Sequence, residues 1–311
     1  MAAVEITNVT KTYGQHRAVD DLSLSVPEGT VYGFIGPNGS GKTTTLRMIM
    51  GIIYPDRGSG PIAVLGRQVS GAARDRVSYL PEERGLYKKM KVREVLRFCA
   101  ELKGCRDSKV DIADWLERLG LAEWADKRVE ALSKGMAQKV QFIAAVVSRP
   151  ELLILDEPFT GLDPVNAEVI KDAVLAIKRS GTTVIFSTHD MGVAEKMCDF
   201  IFMIFKGQKV LDGTLESIQD KYGSDTIRVR VEGNGKDATG AGVFENLPGV
   251  ERVNDFGRFQ ELRTEQKADT QAILKVLADR ARIRHFELAR PSLHDIFVRI
   301  AGPEAEEASH A

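Results

Sequence analysis

A glycine-rich loop near the start of the chain combines backbone freedom with one lysine and several hydroxyl side chains. It matches the pattern GxxxxGK[ST] and runs Gly36-Pro37-Asn38-Gly39-Ser40-Gly41-Lys42-Thr43-Thr44. Glycines allow successive backbone N–H groups to point at phosphate oxygens, and a helix that follows adds the partial positive charge of its N-terminus. Lys42 can then reach the β- and γ-phosphates of a nucleotide, and the Thr43 hydroxyl can bind Mg²⁺. An ordinary Gly/Ser turn is the alternative, and the strand–loop–helix context favours nucleotide binding.

A pair of acids at the end of an apolar run forms the second candidate site. Leu152 to Leu155 predicts a buried strand, and Asp156 and Glu157 follow it directly. A buried parallel strand delivers its last residues to the carboxyl edge of the sheet, where ligands of α/β folds bind. Asp156 would hold hydrated Mg²⁺ there, and Glu157 would polarise an attacking water as a general base. Alone, the motif is equally compatible with plain sheet and turn; its position after the phosphate loop favours hydrolysis.

Alternating strands and helices must hold these side chains, and the first two-thirds of the chain has that pattern. Apolar or β-branched runs predict strands at 31–35, 152–155 and 182–187, and a hairpin over 200–211. Helical spacing of apolar residues predicts helices at 43–53, 92–102, 112–119, 135–148 and 164–179. This alternation predicts an α/β sheet with a helical insert at about 84–150.

The pattern changes after about Lys221. Short strands are predicted at 226–231, 249–253, 259–263 and 283–288, with a helix at 268–281, another opening at Pro291, and a glycine-rich loop over 232–242. We therefore predict a first domain over 1–221, a small α+β domain over 222–302 and a disordered tail over 303–311. The small domain carries no acid/base constellation or metal spacing, so a dimer-contact or regulatory role is expected.

Composition narrows the class of protein. The 311 residues are 43% hydrophobic and 28% charged, which is typical of globular chains and argues against disorder. With 43 Lys+Arg against 44 Asp+Glu, the net charge of −1 argues against a generic nucleic-acid binder. Three cysteines without CxxC spacing argue against a disulfide framework or a zinc site. No stretch approaches the roughly 18 apolar residues of a membrane span, so none is expected.

Together, these motifs resemble the ATP-binding subunits of ABC transporters over roughly Ala2 to Tyr222. The discriminating segment, similar to the family's LSGGQ signature, is Leu132-Ser133-Lys134-Gly135-Met136. Lys134 replaces the first glycine of that signature, and Met136 replaces its glutamine. The resemblance implies that Ser133 and Gly135 contact the γ-phosphate of an ATP held by a partner subunit, so that ATP is sandwiched across a dimer. Ser133 is also expected to cap the helix that follows.

The resemblance implies roles for other positions as well. Thr160 to Asp163 looks like the D-loop that crosses the dimer interface. His189, at the end of a predicted strand, looks like the switch histidine that contacts the γ-phosphate. Tyr13 looks like the aromatic residue on which adenine stacks. Glu82 stands where the family's Q-loop has glutamine, and its carboxylate would still bind Mg²⁺ through oxygen.

The resemblance implies a P-loop NTPase fold of ABC type, with a mixed sheet and a helical subdomain, followed by the small α+β domain. Pro291 to Phe297 resembles the closing helix of an accessory domain found in sodium-efflux and drug- or lipid-exporting systems. The implied function is Mg²⁺-dependent ATP hydrolysis, in which closure of a homo- or heterodimer drives export through separate integral-membrane permease subunits. The expected location is peripheral, on the cytoplasmic face of the cell membrane.

Two other functions share parts of this pattern. A soluble ABC-type ATPase acting on ribosomes or DNA is the main alternative. The near-neutral charge and the lack of a long coiled-coil insertion before Leu132 argue against it, and no nucleic-acid partner is expected. A small GTPase or nucleotide kinase shares the phosphate loop, but the sequence has no NKxD motif for guanine and no reason to carry Ser133 and Gly135.

Overall fold

The computed structural model describes residues 1–69, 75–83, 85–105, 107–222, 226–232, 241–257, 259–265 and 268–302. These residues form two compact units, Met1–Leu215 and a second that begins at Glu216. The predicted tail and most of the predicted 232–242 loop lie outside the described residues. Within the described part, no helix combines the length and the apolar character needed to cross a bilayer.

The first unit is built on two sheets and the helices around them. Its strands are β1 (Ala2–Tyr13), β2 (His16–Pro27), β3 (Val31–Ile35), β4 (Ile62–Val64), β5 (Arg67–Gln68), β6 (Val77–Leu80), β7 (Leu152–Asp156), β8 (Thr183–Thr188), β9 (Phe200–Phe205) and β10 (Gln208–Gly213). Its helices are α1 (Lys42–Ile49), α2 (Val92–Leu102), α3 (Lys109–Arg118), α4 (Lys134–Val146), α5 (Pro164–Arg179) and α6 (Met191–Met197).

The central sheet has the strand order β10-β9-β3-β8-β7-β6. All its neighbouring pairs are parallel except β9 and β10, which form the predicted hairpin. Every residue of β3, β7 and β8 is buried, as is typical of central strands that are covered on both faces. In register, Ile35 lies beside Thr188, and Asp156 lies beside Ser187. The phosphate loop and the paired acids therefore leave the same edge of the sheet.

A second, antiparallel sheet with the order β2-β1-β4-β5 was not predicted. Its two long strands bury residues such as Val4, Ile6 and Leu22 in a cluster shared with α1 and one face of the central sheet. Charged and polar residues interrupt these strands, and register shifts bend their ladder, so no clean alternation marks them in the sequence. Helix α1 ends at Ile49, before the predicted 53, because the chain turns at Gly51 with φ +63°.

The helical insert consists of α2, α3 and α4, which pack their apolar faces together. Val95, Leu116 and Ile143 represent the three helices in one buried cluster, which continues onto the second face of the central sheet through Leu153 and Phe186. This packing fixes α4 relative to the strand that carries the paired acids.

The second unit is a small α+β fold, built from elements that follow α7 (Leu215–Tyr222). These are β11 (Thr226–Val231), β12 (Val250–Asp255), β13 (Gln260–Thr264), α8 (Thr270–Arg280), β14 (Ile283–Ala289) and α9 (Leu293–Ala301). The strands form one antiparallel sheet with the order β12-β13-β11-β14. Helix α8 packs Ile273 and Leu277 against Ile227 and Leu262 of this sheet. Helix α9 begins after Ser292, whose side chain caps it, rather than at Pro291.

Candidate nucleotide site

The glycine-rich loop connects β3 to α1 and is tightly enclosed at two of its glycines. A methyl group on Gly41, where φ is +108°, would lie 2.4 Å from the carbonyl oxygen of Ala18. A methyl group on Gly36 would lie 2.2 Å from the carbonyl oxygen of Ile204. Only glycine fits at these positions, so the local pattern in the sequence and the tertiary packing impose the same loop shape.

Lys42 begins α1 and folds back over the loop. Its buried Nζ donates hydrogen bonds to the carbonyl oxygens of Gly36 (2.6 Å) and Pro37 (3.1 Å), and lies 3.9 Å from Glu157 Oε1. Burial lowers the pKa of the Lys42 amine below its usual value, and nearby carboxylates, chiefly Glu157, act in the opposite direction. The ammonium is therefore enclosed between the loop carbonyls and the acid of β7.

Asp156 collects hydroxyl donors from three segments of the chain. Its Oδ1 accepts hydrogen bonds from Ser187 Oγ (2.5 Å) and Thr43 Oγ1 (3.2 Å), and its Oδ2 accepts one from Tyr79 OH (3.1 Å). Burial, followed by the charge of Asp156, raises the pKa of Tyr79, which keeps the phenol protonated as a donor. The carboxylate is buried and its orientation is set on both oxygens.

Glu157 follows in a conformation that is unusual for a residue with a side chain, with φ +48°. Its backbone N–H donates to Ser187 Oγ (3.0 Å), and its Oε2 accepts a hydrogen bond from Thr160 Oγ1 (3.0 Å). His189 Nδ1 lies 3.1 Å from its Oε1. The buried carboxylate is thus held from three sides, while the His189 side chain is 53% exposed.

The predicted signature segment forms the first turn of α4. Ser133 Oγ accepts a hydrogen bond from the Met136 backbone N–H (3.2 Å), which confirms the predicted helix cap. A methyl group on Gly135 would be in contact with Leu162 and Asn166, each 3.5 Å away. This turn therefore packs against the chain just after Glu157.

Two other predicted site residues, Glu82 and Tyr13, make no direct contact with this group of side chains in the part of the chain that the structure describes. Glu82 lines a cavity of about 260 Å³ that Asp156, Glu157 and Lys134 also line. Tyr13 ends β1, is 49% exposed, and has the Lys11 ammonium 5.6 Å from its ring centroid. The structure thus brings Lys42, Thr43, Asp156, Glu157 and His189 together through direct contacts, with Glu82 in the adjoining cavity.

Sequence reasoning missed three hydroxyl residues of this site, namely Tyr79, Thr160 as a partner of Glu157, and Ser187. Tyr79 and Ser187 belong to β6 and β8, the neighbours of β7 in the sheet. The order and register of these strands place the hydroxyls beside Asp156, and no local pattern encodes that order. Thr160 was predicted within the D-loop, and its spacing of three residues from Glu157 is the one signal that could have found the contact.

Comparison with known proteins agrees with this geometry. Residues 19–160 match the family model described as ABC transporter. The chain is 42% identical over 299 residues to the ABC transporter ATP-binding protein YhaQ of Bacillus subtilis (strain 168), covering 96% of this chain and 98% of that protein. The chain belongs to the ABC transporter ATP-binding protein family. As a family member it is an ATP-hydrolysing subunit, and the predicted fold class is confirmed.

Other comparisons extend the ABC family assignment to the second unit. Residues 213–301 match the model of the ATP-binding protein DrrA1-3-like C-terminal domain, which confirms the predicted accessory-domain branch. The chain is 35% identical to a Nod factor export ATP-binding protein I of Paraburkholderia xenovorans (strain LB400), over 98% of this chain and 99% of that protein. A solved ATP binding subunit of an ABC transporter superimposes with a TM-score of 0.66 at 30% identity, over 71% of this chain and 93% of that one.

Substitution of Ser187 by alanine in this ABC ATPase tests the hydroxyl cluster. The variant loses one donor to Asp156 and one acceptor for the Glu157 N–H, both buried, so we expect about 1–3 kcal/mol of lost stability. ATPase activity should fall as well, since both acids lose a support. Thermal unfolding and phosphate release measure the two effects. Ser78→Ala is the matched control, because Ser78 is a buried serine of β6 that contacts Ser148 instead of the acids; an equal effect there would contradict the assignment.

Proposed function

We propose that this ATPase subunit drives export by ATP-dependent closure of a dimer, coupled to separate membrane subunits. The observation that carries the proposal is the convergence of Lys42, Thr43, Asp156, Glu157 and His189 at one edge of the central sheet. That set combines a cation for phosphate oxygens, a hydroxyl and carboxylate for a metal, and a second carboxylate beside an imidazole. These are the groups that phosphoanhydride hydrolysis requires from the chain that binds the nucleotide.

The phosphate loop would bind the triphosphate of ATP through Lys42 and through the backbone N–H groups of its residues from Asn38 to Thr44. Ser40 would contribute its hydroxyl to the same triphosphate, since Ser40 Oγ is buried and has no hydrogen-bond partner among the described residues. A buried hydroxyl without a hydrogen-bond partner costs free energy, which a ligand that bonds to it would recover. Tyr13, with its exposed ring, would stack on the adenine.

Thr43 and Asp156 would hold Mg²⁺, and Glu82 would add a carboxylate oxygen from the adjoining cavity. Thr43 Oγ1 and Asp156 Oδ1 already lie 3.2 Å apart. Mg²⁺ prefers oxygen donors, and phosphate and water would complete its coordination. Among the described residues, no three His, Cys, Asp or Glu side chains are arranged to hold a metal ion. When bound, the ion neutralises charge on the phosphates.

Glu157 would act as the general base that takes a proton from the attacking water. Its Oε2 is fixed by Thr160, while Oε1 faces His189 and the Lys42 ammonium. His189 would contact the γ-phosphate and hold the base in place. A carboxylate restrained on both oxygens retains one orientation toward the water, which is what general base catalysis requires.

A second copy of the chain, or a homologue, would complete each site. Ser133 and Gly135 lie at the N-terminus of the 13-residue helix α4, where unpaired N–H groups and the helix dipole favour an anion. Contact with the γ-phosphate of the opposing subunit would close the dimer, and hydrolysis would release it. A relative named for Nod factor export supports export as the direction of transport. The proposed location is the cytoplasmic face of the membrane, against permease subunits.

Mixing two inactive variants tests whether the sites are shared. Lys42→Ala disables the phosphate loop of its own chain, and Ser133→Phe blocks the signature turn that it offers to a partner. In a mixed dimer both defects fall on one site, so the other site is intact. We expect ATPase activity in the mixture that neither variant has alone. As a control, a chain carrying both substitutions, mixed with Lys42→Ala, should stay inactive. No recovery in the first mixture would refute the shared site.

A further inference from the structure

One face of α4 carries a row of polar side chains. Lys134, Gln138 and Gln141 are spaced four and three residues apart, so they share a face of the helix. All three line the cavity of about 260 Å³ into which Glu82 and Glu157 also face. Gln138 and Gln141 are buried, whereas Lys134, at the start of the row, is exposed. Buried polar side chains need partners, and for the two glutamines these partners are two loops of the nucleotide site.

The two glutamines bind those loops directly. Gln141 Nε2 donates hydrogen bonds to the carbonyl oxygens of Pro81 (3.3 Å) and Glu83 (3.2 Å), on either side of Glu82. Gln138 Nε2 donates to the carbonyl oxygen of Pro158 (2.6 Å), the residue after Glu157. Gln138 Oε1 is buried and has no hydrogen-bond partner among the described residues.

Lys134 meets the other end of the turn that carries the base. We call residues 157–161 the base turn: it starts at Glu157 with φ +48° and ends at Gly161 with φ +74°. A methyl group on Gly161 would lie 2.8 Å from Lys134 Nζ, so the ammonium lies directly beside this glycine. Within the turn, Thr160 Oγ1 donates to Glu157 Oε2. A strained conformation such as that of Glu157 persists only where the surroundings hold it.

Lys134 also alters the charge of the cavity. Three carboxylates line or border it, from Glu82, Asp156 and Glu157, and Lys134 is the cation on the α4 side. Lys42 is the cation on the opposite, phosphate-loop side, 3.9 Å from Glu157. Lys134 and Glu82 are both exposed and line this cavity together, so their opposite charges attract across it.

We propose that Lys134 is a positioning residue for ATP hydrolysis, which holds the base turn from Gly161 and offsets the charge of Glu82. This inference rests on the proposed role of Glu157 as the base. Lys134 acts on the Glu157 of its own chain, through Gly161 and Thr160, and not on the nucleotide of a partner. Its removal therefore slows the chemical step and leaves ATP affinity unchanged.

Steady-state kinetics on the full-length chain test this division. Lys134→Met keeps the aliphatic stem and removes the charge, and we expect kcat to fall about tenfold with an unchanged KM for ATP, because a displaced base slows chemistry without weakening binding. Lys134→Arg should retain most of the kcat. Lys109→Met is the matched control, since Lys109 is also the first residue of a helix that follows a serine, and is exposed. Normal kcat in Lys134→Met would overturn the proposal.

The charge balance has its own test. In the Glu82→Gln background, the cavity holds one carboxylate fewer, so Lys134→Met should cost clearly less kcat than it does in the native chain. This non-additivity is the signature of two side chains that interact. Equal losses in both backgrounds would overturn the pairing with Glu82. Thermal unfolding of each variant shows whether it is folded. If Lys134→Met does not fold, the kcat of Lys134→Arg decides whether a cation is needed at this position.

Dimer formation separates this proposal from the shared-site proposal. In a Glu157→Gln chain, adding Lys134→Met should leave ATP-dependent dimerisation unchanged, as judged by light scattering. Loss of the dimer, or a raised KM, would place Lys134 on the partner's nucleotide and overturn the inference. Failure of the proposed function would give a different result, in a chain that keeps Lys134. In that case the Glu157→Gln single variant would still hydrolyse ATP.

Discussion

Replacing Glu157 by glutamine is expected to abolish ATP turnover while preserving ATP binding. The amide has nearly the same shape as the carboxylate, and its oxygen can still accept the hydrogen bond from Thr160. It cannot accept a proton from water, and loss of a general base typically slows a reaction about 10²–10⁴-fold. The phosphate loop and Lys42 are untouched, so nucleotide affinity should be retained.

Two measurements check this outcome. Phosphate release gives the turnover, and light scattering with ATP present shows whether the arrested chain accumulates as a dimer. Glu123→Gln is the control, because Glu123 is an exposed glutamate of the helical insert. A Glu157→Gln chain with near-native turnover would exclude the carboxylate as the base. A chain that is inactive but monomeric with ATP would instead contradict closure across a dimer.

Replacing Gly41 by alanine is expected to weaken ATP binding on the order of 100-fold through backbone geometry. The new methyl group would lie 2.4 Å from the Ala18 carbonyl oxygen and 3.2 Å from Ile204 Cδ1, at a φ of +108° that L-residues rarely adopt. The carbonyl cannot simply yield, because Ala18 belongs to β2, which is paired along its length with β1. The loop must move instead, and a shift of about 1 Å in groups that position phosphates costs on the order of 100-fold.

Calorimetric titration with ATP and thermal unfolding test the Gly41 prediction together. Gly29→Ala serves as the control, because Gly29 also has a positive φ (+70°) but no atom lies within 4 Å of the added methyl group. It should cost only the left-handed backbone penalty of about 1–2 kcal/mol and leave ATP affinity intact. If Gly41→Ala binds ATP like the native chain, the enclosed loop shape is not what positions the phosphates.

Much of the site is readable from sequence because its parts are local. The phosphate loop needs its glycines, lysine and threonine within nine consecutive residues, and the acids follow directly on an apolar strand. The helix cap at Ser133 is likewise local, and it is present in the structure. Contacts between residues a few positions apart depend on backbone preferences, which each short segment carries with it.

Contacts between distant segments required the folded chain. The β1–β2 sheet was missed because its strands have polar interruptions, and their burial depends on packing against α1. Tyr79 and Ser187 join Asp156 only because β6 and β8 flank β7 in register. Lys134 is visible in the sequence as a departure from the signature, yet its contact with Gly161 follows from how α4 packs.

The chain's chemistry, its α/β class and the order of its two units were determined by the sequence itself, through short patterns of side-chain type and spacing. Tertiary structure alone decided which hydroxyls orient the acids, which helix holds the base turn, and that Glu157 adopts a left-handed conformation. The reason is physical: strand order, register and helix packing depend on the burial of surfaces that are far apart in the chain, and no local window contains both partners.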